Sequence, residues 1–303
     1  MKINEDFYNP EDIDIMVSDE NTNEGFDIKP QRKLHYTDAH QNILNTSLDG
    51  DMTKITMFSD DLNEFVTVYS IFKRKKIENK KGDSNPVLYA LKKEKDWSFE
   101  TEYDKVLFWR RFVCLLKQFL NAHKNSFECV VVIPSSNQLN KDISNEIKKV
   151  VNNYGIECVI EDALRTITTT ELLGEIEDTH SYFRDYWNDD FEKSLSKLKE
   201  DIKKMNETNK GIFKYHMIDD QEMRKSIINT LISDENKKPA YSVYINNKNV
   251  LLIDDSITHG QSIRGAIHAI SNTYNPKSVS VLTMFSQLYN STGDVVEYDL
   301  NKR

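Results

Sequence analysis

The stretch Asn249-Val250-Leu251-Leu252-Ile253-Asp254-Asp255-Ser256-Ile257-Thr258-His259-Gly260-Gln261-Ser262 decides the fold. It opens as a short apolar run suited to a buried parallel strand, passes through an acidic pair and a hydroxyl-rich loop, and ends where helical periodicity begins at Ser262. Such a loop delivers a helix N-terminus, whose unpaired N–H groups and dipole attract an anion, and Gly260 lets the backbone close around a phosphate. Thr258 and Ser262 add hydroxyl donors. Asp254 and Asp255 would repel a bare phosphate, so the pair makes sense if the ligand also presents hydroxyls or a divalent cation just beyond it. A phosphorylated sugar has that layout. An acidic pair or T-x-G alone fits any capped strand-to-helix turn. Four apolar residues followed by D-D-x-x-S/T-x-G-x-S/T, however, arise by chance in on the order of one chain in ten thousand, which favours a phosphate site.

Outward from this stretch the pattern alternates. Residues 127–133 (FECVVVI) form a bare apolar run, 142–154 read as a helix closed by Gly155, and 156–160 as a second strand. Residues 262–270 read as a helix and 278–284 as a further strand. Strands alternating with helices predict an α/β fold with a mostly parallel central sheet flanked by helices. Residues 175–210 interrupt it as a helical insertion, with Phe183, Trp187, Phe191, Leu195, Leu198, Ile202 and Met205 spaced by threes and fours. That stripe either packs on its own domain, the commoner case, or forms a partner or dimer surface.

Upstream, Thr101 and Asp104 have capping-box spacing before a long amphipathic helix that opens the main domain, 101–303. Residues 34–100 read as an N-terminal β-rich module, with a strand over 65–72 and a return strand over 86–91. Residues 1–33 form an acidic arm, nine acids against four cations, with little periodicity.

Composition bounds the function. The 303 residues carry 40 Lys and Arg against 49 Asp and Glu, a net charge of -9 that disfavours generic nucleic-acid wrapping. The apolar fraction, 38%, is low for a globular chain but too high for one disordered throughout. Cys114, Cys129 and Cys158 stand singly, with neither C-x-x-C spacing nor an even count, and the start MKINEDFYNP lacks the apolar run of a signal peptide. A reducing, cytoplasmic setting is the expectation. The seven histidines show no H-E-x-x-H spacing, and no serine sits in a G-x-S-x-G elbow, so a protein-built transition-metal site or a nucleophilic hydrolase has no support.

The segment LLIDDSITHGQS resembles the phosphoribosyl-pyrophosphate (PRPP) loop of the type I phosphoribosyltransferases, and the resemblance extends over roughly residues 103–288. It implies a PRPP site with Mg²⁺, and transfer of a phosphoribosyl group with release of pyrophosphate, a glycosyltransferase-class reaction. By position, Asp254 and Asp255 would hold the ribose 2′- and 3′-hydroxyls and the metal's water shell. Thr258, His259, Gly260, Gln261 and Ser262 would cradle the 5′-phosphate, His259 standing where the family commonly has Thr. The strand and loop VVVIPSSN, with Ser135, Ser136 and Asn137, resemble the family's pyrophosphate loop, though many members carry a cation and glycines there. Arg165 lies where ComF-like members keep an arginine before their mobile loop, and is the expected cation for the leaving group. The order of segments looks most like that ComF-like branch, without the zinc-binding cysteines that often precede it.

Residues 73–95 hold nine Lys and Arg, Lys73 to Lys95, against Glu78, Asp83 and Glu94. This basic hairpin is either a solvated edge whose lysines deter strand pairing or a contact for nucleic acid or a polyphosphorylated ligand. It supports an alternative function: a non-catalytic nucleotide- or nucleic-acid-binding sensor or effector on the same fold, in a bacterial or viral conflict (antiphage) system. The acceptor substrate, homo-oligomerisation and protein partners stay open.

Overall fold

A computed structural model describes residues 32–36, 44–45, 53–59, 61–75, 86–93, 96–135, 138–183, 189–208, 211–213, 217–218, 230–257 and 260–289. In chain order the elements are β1 (Arg32–Leu34), β2 (Leu44–Asn45), β3 (Thr53–Ser59), β4 (Glu64–Lys75), α1 (Pro86–Lys92), β5 (Trp97–Phe99), α2 (Glu102–Ala122), β6 (Cys129–Val132) and α3 (Leu139–Lys148). They continue with β7 (Cys158–Ile160), β8 (Leu164–Thr166), α4 (Thr169–Phe183), α5 (Asp189–Thr208), β9 (Leu231–Ser233), α6 (Lys238–Ile245), β10 (Asn249–Ser256), α7 (Gln261–Thr273) and β11 (Ser278–Tyr289).

Five parallel strands in the order β4-β11-β10-β6-β7 form the centre of the main sheet, and β2 and β3 add to β4 antiparallel. The apolar runs read as buried strands are buried on both faces, all four residues of β6 among them. Alternation sorts their side chains. Leu251 and Ile253 pack on one side with Phe72, Phe108, Phe285 and the α3 residues Ile143 and Ile147. Val250 and Leu252 pack on the other with Val131, Val281 and the α7 residues Ile263, Ile267 and Ile270. Helices α3 and α7 therefore cover opposite faces.

The capping box forms as expected: the Asp104 N–H donates to the Thr101 hydroxyl at 3.1 Å and the Thr101 N–H to Asp104 Oδ2 at 2.9 Å. Asp104 Oδ1 also accepts from the Tyr36 N–H at 3.0 Å, tying the start of α2 to the chain that follows β1.

The expected return strand over 86–91 is instead the helix α1. Pro86 at its first position carries a φ suited to a helix start and has no N–H to lose, and Leu88, Ala90 and Leu91 are good helix formers. The 34–100 segment also differs from a separate β module. Its long strand β4 runs parallel to β11 from Thr67↔Ser280 to Tyr289↔Lys75, so it extends the main sheet. The helix expected over 142–154 begins at Leu139, ends at Lys148, and is followed by a single 3-10 turn over Val151–Asn153 before Gly155 at φ 78°. The helical stretch expected over 175–210 is formed by α4, which already begins at Thr169, and α5. Leu195, Leu198, Ile202 and Met205 of α5 bury against Ile167, Leu172 and Phe213, so this stretch of the stripe packs on its own chain. The side chains of Phe183, Trp187 and Phe191, and the arm residues 1–31, lie outside the described residues. The antiparallel pair β8–β9 and helix α6 had no counterpart in the sequence reading.

Candidate functional site

From β6 the chain passes through α3 to β7 and moves toward one edge of the sheet, whereas from β10 it passes through α7 to β11 and moves toward the other. Strands β6 and β10 are neighbours, paired from Val250↔Cys129 to Ile253↔Val132. Their C-terminal ends therefore mark the switch point of the sheet, where diverging loops leave a crevice and open α/β sheets place their ligands. Asp254 and Asp255 stand at the β10 end of that crevice, and Ile133, Pro134 and Ser135 leave its β6 end.

Both carboxylates are buried, Asp254 at 7% and Asp255 at 5% exposure. Asn140, in the first turn of α3, donates one amide N–H to the Ile133 carbonyl at 2.8 Å and to Asp254 Oδ1 at 3.1 Å. The Asp255 N–H donates to the same Asp254 oxygen at 2.8 Å. Asn140 thus braces the loop after β6 to the acidic pair. On Asp255, Oδ1 accepts from the Ser256 hydroxyl at 2.7 Å, and Oδ2 lies 3.0 Å from Lys92 Nζ at the end of α1. The Lys92 side chain is itself only 16% exposed. Burial first, and the charge of Asp255 second, push Asp254 up to about 7, against the opposing pull of Asn140, the Asp255 N–H and Lys92. Asp254 can therefore hold or release a proton near neutrality, while Asp255 is matched by a cation.

Gly260 precedes the first residue of α7 in the left-handed conformation, φ 72°, which admits glycine without strain. Its carbonyl accepts the Arg264 N–H at 2.9 Å, so the first turn closes directly behind it. Gln261 is half-buried and Ser262 exposed at that helix start. Thr258, His259, Ser136 and Asn137 lie outside the described residues; Ser135 is described and exposed.

The structure does not bring Arg165 to the acidic pair. On β8 its guanidinium makes a two-pronged ion pair with Glu171, Nη1 to Oε2 at 2.9 Å and Nη2 to Oε1 at 2.6 Å. That guanidinium, with the Thr168 N–H and hydroxyl, holds the Glu171 carboxyl at about 2. The cation found at the site is Lys92, which the sequence showed only as one of many lysines in the basic hairpin. Asn140 carried no local signal either, because its role is set by Asp254 on β10, 114 residues along the chain.

Beside the crevice lies a cleft of about 790 Å³. Ser135, Asn140 and Lys141 form one wall, the edge strand β7 with Glu161 and Asp162 another, and Tyr241 and Tyr244 of α6 close it. Asp162 accepts from the Tyr241 hydroxyl and from Lys237, whose ammonium holds this carboxyl below the usual range. Among the described residues, no group of three or more His, Cys, Asp or Glu could hold a metal ion, and no helix is long and apolar enough to cross a membrane. Comparison with protein-family models, with curated proteins and with solved structures finds no match.

Proposed function

We propose that this protein binds PRPP, or a related ribose phosphate, in the crevice between β6 and β10 and transfers its phosphoribosyl group to a nucleophile, releasing pyrophosphate. The observation that carries this reading is the position of the acidic pair, at the end of β10 and at the switch point, five residues in sequence before a left-handed glycine and a helix N-terminus. A ligand with its 5′-phosphate on the first turn of α7 would present its ribose hydroxyls toward Asp254 and Asp255, as charge-assisted acceptors. Departure of pyrophosphate takes the electron pair of the anomeric C–O bond and leaves positive charge on the sugar, so the protein's task is to orient the ring and stabilise the leaving anion.

Two carboxylates and a phosphorylated ligand suit Mg²⁺, which keeps several waters and takes one or two protein carboxylates beside phosphate oxygens. When bound, it would neutralise charge on the leaving pyrophosphate. Asp254 and Asp255 would hold its water shell, and Asp255 would exchange its contact with Lys92 for that shell, freeing the ammonium to face the ligand's anionic groups.

A second reading, a sensor or effector that binds the ligand without turning it over, is favoured by one observation. Arg165 is engaged by Glu171 and Lys92 by Asp255, so the described part of the loop after β6 offers the leaving group only the neutral Ser135. The basic segment 73–95 does not return as a hairpin, because 86–92 is α1; Lys73, Arg74 and Lys75 have side chains outside the described ones and 76–85 lie wholly outside, so the nucleic-acid form of this reading rests on composition.

Incubation with PRPP, Mg²⁺ and a panel of nitrogen nucleophiles, read as pyrophosphate release, separates turnover from binding. Calorimetry tests the site itself. Asp254→Asn with Asp255→Asn should weaken Mg²⁺-dependent PRPP binding by about 1.5 to 3 kcal/mol for each charge-assisted bond lost. Unchanged affinity in a folded double variant would refute the assignment.

A further inference from the structure

Cys129 and Cys158 stand apart from the crevice chemistry and face each other across two strands. They are directly paired in register on the parallel strands β6 and β7, and their sulfurs lie 3.3 Å apart. Adjacent strands run about 4.8 Å apart, inside the Cα separation that a disulfide spans. The two thiols differ in access. Cys129 is 1% exposed, under the sheet's core, whereas Cys158 is partly exposed and lines the 790 Å³ cleft. The third cysteine, Cys114, is exposed on α2 and lines a different cleft.

We propose that Cys129 and Cys158 are a reversible oxidation site, in which a hydroperoxide entering the cleft oxidises Cys158 and Cys129 then closes an intrachain disulfide. In the first step the Cys158 sulfur attacks a peroxide oxygen, the O–O bond breaks, and the other oxygen leaves as an alcohol or water after taking a proton; Cys158 becomes a sulfenic acid. In the second, the Cys129 sulfur attacks the Cys158 sulfur, the S–O bond breaks, and hydroxide leaves with the Cys129 proton as water. Two thiols and one hydroperoxide give one disulfide, one alcohol or water, and one water, and an external dithiol restores both thiols by exchange while it is itself oxidised to a disulfide.

The order of attack follows from the surroundings. The contact with the Cys129 thiol holds the Cys158 thiol below its usual range against the opposing effects of burial and Glu157, with Lys248 adding to the lowering. The Cys158 contact and burial push the Cys129 thiol up. The accessible sulfur, which lines the cleft, is the one a hydroperoxide reaches first, and the buried one is the resolving thiol.

The test uses the full chain and does not depend on ligand turnover. After equimolar hydrogen peroxide, intact mass should fall by two hydrogens, and alkylation in denaturant should then label Cys114 alone, whereas the untreated chain takes up three groups. A non-reducing peptide map should show the linked pair, and dithiothreitol should restore both. A Cys114→Ser chain should behave identically. In Cys129→Ser the reaction should stop at a dimedone-trapped sulfenic acid on Cys158, and in Cys158→Ser the Cys129 thiol should stay unmodified. If both thiols of the wild-type chain, treated with peroxide while folded, are still alkylated once denaturant is added, or if dimedone marks Cys129 and not Cys158, the proposal is wrong.

Discussion

Half-buried Lys92 and buried Asp255 form an ion pair at 3.0 Å, and removing the ammonium takes the cation away from a buried carboxylate. Lys92→Met should therefore lower stability by about 1 to 3 kcal/mol, read as a shift in the urea midpoint, and millimolar Mg²⁺ should recover part of the loss by taking the ammonium's place. An unchanged midpoint would mean that Asp255 is balanced by another group. Asp254 imposes a pH dependence of definite sign. Its folded value, raised to about 7, lies above the unfolded carboxylate value near 4, so between them the folded chain binds the extra proton. The stability it contributes is full below about pH 4 and is lost as pH rises through about 7. Asp254→Asn should flatten that slope, measured as unfolding midpoints at about pH 5 and about pH 8. Binding of Mg²⁺ at the pair should run the opposite way, tightening as Asp254 loses its proton.

Element by element, the site depends on where two helices begin and end. Helix α7 starts at a left-handed residue, and a β-branched side chain there costs roughly 1 to 2 kcal/mol in backbone strain and also stands in the path of an anion approaching the first turn. Inorganic phosphate should therefore protect the wild-type chain against heating, and Gly260→Val should lose that protection. Equal protection of both would place the anion elsewhere. Helix α1 matters at its other end, because only as a helix does the 86–92 segment deliver Lys92 to Asp255 while burying Val87, Leu88, Tyr89 and Ala90. Its β-like run of apolar residues was misleading because four consecutive buried positions suit a short helix packed on two sides as well as a strand.

For the whole molecule, the decisive pairing is β4 with β11. It places Phe72, fully buried, in stacked contact with Phe285 at 5.5 Å and beside Phe108 at 5.2 Å. A fragment of residues 101–303 would lose that strand, leave a long edge of β11 unpaired, and open the core beneath α2. It should show no cooperative thermal transition by circular dichroism, whereas the full chain should show one. A cooperative transition in the fragment would make the N-terminal strands an accessory to an independent domain.

The amino-acid sequence by itself determined the parallel α/β class, the strand that ends in Asp254 and Asp255, the glycine that opens α7, and the capping box that starts α2. Each is a local pattern, set by strand or helix periodicity and by backbone groups within a few residues. Only the tertiary structure decided that Lys92 meets Asp255, that Asn140 joins Ile133 to Asp254, that Arg165 is engaged by Glu171, and that β4 lies against β11. Apart from the Arg165–Glu171 and Asn140–Ile133 contacts, which span six and seven residues, these contacts join residues far apart in the chain. Their partners are chosen by strand order and by which faces the core can bury together, and no local window of sequence carries that choice.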